Sequence, residues 1–138
     1  MGISAKYLLL HGAIVLLIGL LCGAPYGVAI KRQNEELIRA WKLAHSSLSL
    51  GGATMIAIAA CFNALENQET LKWIISISYI ISGYGFCFAM VSEPFLGARG
   101  LSWSGTRNNK IVYVGNSIGA AGSLAGTIAL VIASYLSL

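Results

Sequence analysis

Four long stretches of this chain carry no Asp, Glu, Lys or Arg: residues 7–30, 43–65, 73–92 and 111–138. A helix needs about 20 residues to cross the hydrocarbon of a bilayer, and each stretch meets that length. A segment in lipid must satisfy its backbone polar groups internally, so only helices and closed barrels span. Barrel strands alternate apolar and polar residues over about ten positions, whereas these runs are unbroken. The pattern predicts an all-α fold: a four-helix transmembrane bundle, one integral membrane domain over residues 1–138, with spans at 7–30, 43–65, 73–92 and 111–137. An even number of crossings puts both termini on the same side.

Composition agrees. The chain is 57% hydrophobic and 10% charged, against about 25% charged in soluble domains. A net charge of +4 raises the question of nucleic acid. Here the cations sit in short connectors between apolar runs, so they report orientation in the membrane and no nucleic-acid partner. Lys31, Arg32, Arg39, Lys42, Arg99, Arg107 and Lys110 flank the first and third connectors, 31–42 and 93–110; only Lys6 and Lys72 lie on the other face. The positive-inside rule then places those two connectors in the cytoplasm, with the termini outside, in what is expected to be a bacterial cytoplasmic membrane. The first run is read as a retained span, because a cleaved leader would carry a stronger basic start and a shorter apolar core.

The connectors differ. Residues 31–42 have helical spacing, with Leu37, Ile38 and Trp41 on one side, and are expected to extend the second helix or lie in the interface. Residues 66–70 read as a tight acidic turn. Residues 93–110 contain Pro94, Gly97, Gly100 and Gly105 and do not form one regular helix. Trp41, Trp73 and Trp103 stand at run ends, where indole favours the headgroup level. Gly19, Gly23 and Gly27 recur on the first helix, as do Gly115, Gly119, Gly122 and Gly126 on the fourth; such stripes serve either the bundle or an oligomer.

Polar residues inside apolar helices are the informative exceptions. No span holds a carboxylate, which argues against proton-coupled export. Cys22, Cys61 and Cys87 lack metal-site spacing and read as small hydrophobes. Two histidines remain. His45 opens the second helix and His11 lies early in the first. They start near opposite faces, so they are not expected to share an ion. His45 has the residue type of a single axial haem ligand in an apolar slot; hydrogen bonding to a neighbouring group is the plainer alternative for both. Tyr84 and Cys87 share a face of the third helix. Tyr84 is expected to line a polar pocket with Asn116 or to bond between helices, as Ser76, Ser78 and Ser82 are expected to do.

Taken in order, these residues form a recognisable series. His11-Gly12 precedes a Gly-rich helix; Trp41 stands four residues before His45-Ser46; Gly52, Gly85-Phe86, Arg99-Gly100-Leu101-Ser102-Trp103 and a small-residue fourth helix follow. The series resembles the styrene oxide isomerases, small four-helix membrane enzymes. The resemblance implies a homotrimer that binds haem b between subunits, with His45 as the iron ligand and Trp41 shaping the cofactor site. It implies rearrangement of a small apolar epoxide to an aldehyde by ferric haem acting as a Lewis acid. There are two departures: Gly51 stands where the family has an asparagine, and Cys87 where it has a tyrosine. Tyr84, one turn earlier, is then the candidate catalytic hydroxyl, and Cys87, Gly51 and Asn116 are the candidate substrate-pocket positions. With two family side chains missing, the alternative is a non-catalytic haem-binding or structural membrane subunit. A glutathione-type four-helix enzyme is disfavoured by the absence of its second-helix motif.

Overall fold

The computed structural model describes residues 1–65 and 68–138. Its helices are α1 (Ile3–Leu21), α2 (Gly23–Lys31), α3 (Glu35–Cys61), α4 (Glu69–Leu96) and α5 (Arg107–Tyr135), with a single 3₁₀ turn at Phe62–Ala64. Four segments are long and apolar enough to cross a membrane: Ile3–Lys31, Glu35–Ala64, Glu69–Leu96 and Arg107–Tyr135. The predicted four-helix transmembrane bundle is therefore the fold. The acidic turn at 66–70 lies partly outside the described residues; its Glu69 and Thr70 open α4.

The helix ends follow from local chemistry. Pro25 has no N–H to offer the Leu21 carbonyl, and the first span is interrupted at Cys22, between α1 and α2. Asn34 caps α3: its side chain accepts from the Leu37 N–H at 3.1 Å, and Glu35 and Glu36 lie in the first turn, where the helix dipole favours negative charge. The basic connector thus extends the second helix, and Leu37, Ile38 and Trp41 pack on the core. Thr106 caps α5 in the same way.

The third span runs past its predicted end. Glu93 was expected to open an irregular connector, yet α4 continues through Pro94 to Leu96. Arg39 neutralises Glu93 at 2.9 Å, so this charge does not mark the helix boundary. Gly97, at φ 61, then closes the helix in the left-handed conformation, its N–H donating to the Glu93 carbonyl.

The bundle is two tight pairs joined side by side: α1 with α3, and α4 with α5. Glycine makes both pairs tight. A Cβ at Gly19 would lie 2.5 Å from the Ser49 nitrogen, and one at Gly85 would lie 2.8 Å from the Gly119 nitrogen. The stripe on α5 therefore packs inside the bundle. Serines add interhelical bonds: Ser76 Oγ donates to the Ser4 carbonyl at 3.1 Å and Ser82 Oγ to the Gly119 carbonyl at 2.7 Å. Leu17, Leu50, Ile77, Leu124 and Val131 are each more than half exposed, an outer surface suited to lipid.

Candidate functional site

His45 lies on the flank of α3 that faces α1, half-buried. Its Nδ1 is 2.9 Å from the Gly19 carbonyl oxygen. A carbonyl only accepts, so Nδ1 carries the proton and Nε2 keeps its lone pair. Among the described residues, Nε2 has no hydrogen-bond partner. Tyr26 stacks beside the ring, with centroids 6.3 Å apart at 26°. Gly23 borders it too: a Cβ there would come within 3.3 Å of the imidazole. Gly27, one turn further along α2, has open space where a side chain would be.

Trp41 shares this flank of α3 one turn earlier. Its ring is buried and meets Phe95 of α4 edge-on, with centroids 5.6 Å apart. It thus ties α3 to the end of α4.

Tyr84 has a partner that the sequence did not suggest. Its hydroxyl is 2.8 Å from His11 Nδ1, across the seam between α1 and α4. Tyr7 stacks on His11 and also meets Trp73, so four rings line this seam. Eight residues separate His11 from Gly19 on α1, a rise of about 12 Å. The Tyr84–His11 pair and the His45 ring therefore sit at different levels of one chain. The two histidines do not converge, and no cluster of three or more His, Cys, Asp or Glu forms among the described residues.

Of the candidate substrate-pocket residues, Gly51 and Asn116 line two adjoining spaces. Cys87 is buried in the helix packing. Asn116 donates from Nδ2 to the carbonyls of Arg99 and Gly100, at 3.3 and 3.2 Å, and so holds the α4–α5 connector. Tyr84 lines neither of the two main spaces between these helices. Gly51 faces a cavity of about 410 Å³ between α3 and α4, lined also by Thr54, Tyr79 and Ser123. Asn116 borders a larger groove of about 780 Å³ between α3 and α5, floored by Phe86 and Met90 of α4. Phe86 and Met90 border both spaces, so the two adjoin.

The Arg99-Gly100-Leu101 segment also has a structural reason. Gly100 adopts φ 60, and a Cβ there would lie 2.5 Å from the Tyr113 nitrogen. Its N–H donates to Asn109 Oδ1 at 2.9 Å. The connector thus lies directly on the backbone of α5.

Fold and site define an integral membrane protein of four helices that presents one oriented imidazole on the flank of its second span. The family model described as styrene oxide isomerase matches residues 4–135. The chain belongs to the styrene oxide isomerase family. A search of the curated proteins found no match.

Proposed function

We propose that this protein is a haem b-binding isomerase of its family, with His45 as the residue that would hold the haem, that rearranges a small apolar epoxide to an aldehyde. The observation that carries the reading is the Nδ1 contact of His45 with the Gly19 carbonyl. Ligating histidines characteristically donate their other ring N–H to a carbonyl or carboxylate, which fixes the tautomer and raises basicity. Here that bond is in place, Nε2 is unpartnered, and the flanking Gly23 and Gly27 leave the neighbouring surface flat. The residues fit the group on this side.

Haem, held through His45 Nε2, would supply Lewis-acid chemistry toward an epoxide oxygen, with no net redox change. The chain's own contributions are separate. Gly19 holds the His45 ring in its plane. Tyr26 and Gly23 confine it from the sides. Tyr84 offers a hydroxyl at its own level, already oriented by His11. Following the family resemblance, we assign the complete site to a homotrimer in which a neighbouring copy closes the cofactor site. The same reading places connectors 31–42 and 93–110 in the cytoplasm of a bacterial inner membrane, with the termini outside.

A second reading has its own support. Cys87 is buried in the helix packing and Gly51 has no side chain, so neither position supplies the polar group that the family has there. This suits a non-catalytic haem-binding or structural subunit. Two measurements separate the readings. A Soret band in the detergent-purified protein that disappears in His45→Ala supports the haem site, and a band unchanged in that variant overturns it. Aldehyde formation from an aryl epoxide by haem-loaded protein supports the isomerase; its absence favours the subunit.

A further inference from the structure

The groove between α3 and α5 is independent of the haem reading. His45 reaches toward α1, whereas Leu43 and Ser46, its neighbours on α3, line this groove. Its floor is apolar, with Phe86 and Met90, and its mouth is basic, with Arg39, Lys42 and Arg99. Arg39 is paired with Glu93. Lys42 and Arg99 have no carboxylate partner among the described residues. The mouth therefore carries two uncompensated positive charges above an apolar trough.

Its depth is set by the same end of the bundle. Trp103 stands beside Tyr113, a residue of the groove wall, with centroids 5.9 Å apart, and Lys110 lies over the Trp103 ring at 5.4 Å. An indole next to cations marks the headgroup region. A trough opening to lipid, with unpaired cations at headgroup level, has the makings of a lipid site: basic pockets between transmembrane helices bind anionic headgroups.

We propose that this groove binds an anionic phospholipid, its headgroup held by Lys42 and Arg99 and its acyl chain lying along Phe86 and Met90. Charge complementarity selects this occupant over a zwitterionic lipid.

The test uses the full chain in discs containing equal parts phosphatidylglycerol and phosphatidylcholine, with retained lipid counted by native mass spectrometry after release into detergent. The expected result is about tenfold preferential retention of phosphatidylglycerol. Lys42→Gln with Arg99→Gln abolishes the preference. Lys31→Gln with Arg32→Gln, an equal charge change at exposed positions outside the groove, preserves it. Equal effects of both pairs, or no effect of either, overturn the proposal, as would Ser117→Cys forming an interchain disulfide in native membranes, which would show a second copy in the groove. Helicity and melting temperature identify any variant that fails to fold; a single Lys42→Gln, expected to lose part of the preference, then takes its place.

Discussion

The Nδ1 atom of His45 lies 2.9 Å from the carbonyl oxygen of Gly19, and Gly19 is also where α1 comes closest to the backbone of α3. One residue thus sets both the helix spacing and the direction of the imidazole. A Cβ at this position would meet the Ser49 nitrogen and the Leu48 carbonyl carbon at 2.5 and 2.8 Å. These are backbone atoms and cannot swing aside. Gly19→Ala is therefore expected to destabilise the protein by about 1–3 kcal/mol, the usual cost of overpacking. It should also weaken and shift any haem band, because the histidine loses its anchor. Gly27→Ala is the control: nothing lies within 4 Å, so melting should be unchanged or slightly higher. Thermal melts of both variants in detergent check the contrast, and the absorption spectrum of Gly19→Ala reports the loss of the anchor.

Much of the fold was legible because charge is so sparse. Four uncharged runs gave four spans, and the part of the basic connector from Glu35 to Lys42 read correctly as an extension of the second span. The boundaries were less legible. Glu93 looked like the end of a span, but Arg39, 54 positions earlier, neutralises it and the helix continues. Cross-chain pairings were not legible at all. Tyr84 and His11 are separated by 73 residues, and nothing in a single sequence links them beyond both being polar in apolar helices. Asn116 was read as lining a pocket and does border the groove between α3 and α5, but the bonds of its amide to the Arg99-Gly100 connector were not legible. The sequence showed which residues were unusual but not which of them meet.

The Tyr84–His11 bond separates structure from chemistry. Tyr84→Phe keeps the ring and removes the hydroxyl. Interhelical bonds of this kind are worth about 0.6–1.7 kcal/mol in membranes, so the melting point should fall modestly. On the proposed function, with Tyr84 as the catalytic hydroxyl, its loss should reduce turnover by about 10²-fold. The haem spectrum should not change, because Tyr84 and His45 lie at different levels of the chain. Turnover at the native rate in Tyr84→Phe would restrict the pair to packing.

Gly100 and Gly97 are both left-handed, yet they should respond differently to substitution. Gly97, at φ 61, has open space around it, so Gly97→Ala carries only the conformational cost, about 1–2 kcal/mol. Gly100 adds contact with the backbone of Val112 and Tyr113 at 2.5 Å. Gly100→Ala should cost more than Gly97→Ala and should loosen the connector held by Asn109 and Asn116. Melting curves compare the costs, and limited proteolysis near Arg99 and Arg107 reports the loosening. Equal stability of the two variants would contradict the close packing of the connector.

The ion pair of Arg39 and Glu93 should be asymmetric. Glu93 is 5% exposed, while the Arg39 side chain is 41% exposed, and the carboxylate oxygen facing it has no aligned hydrogen bond. Removing the acid leaves an arginine that water can reach, so Glu93→Gln should cost no more than about 1 kcal/mol, the range of exposed pairs. Removing the base strands a carboxylate inside the helix packing. An uncompensated buried charge costs about 3–5 kcal/mol, and Arg99, which borders the same small cavity, offsets part of that. Arg39→Met should therefore be clearly more destabilising than Glu93→Gln, although it adds an apolar side chain. Combining the two should recover most of the loss, because the double variant leaves no buried charge unpaired. Denaturation of the three proteins under one detergent condition decides it: a double variant as unstable as Arg39→Met alone would mean that the arginine stem, and not its charge, supports the end of α4.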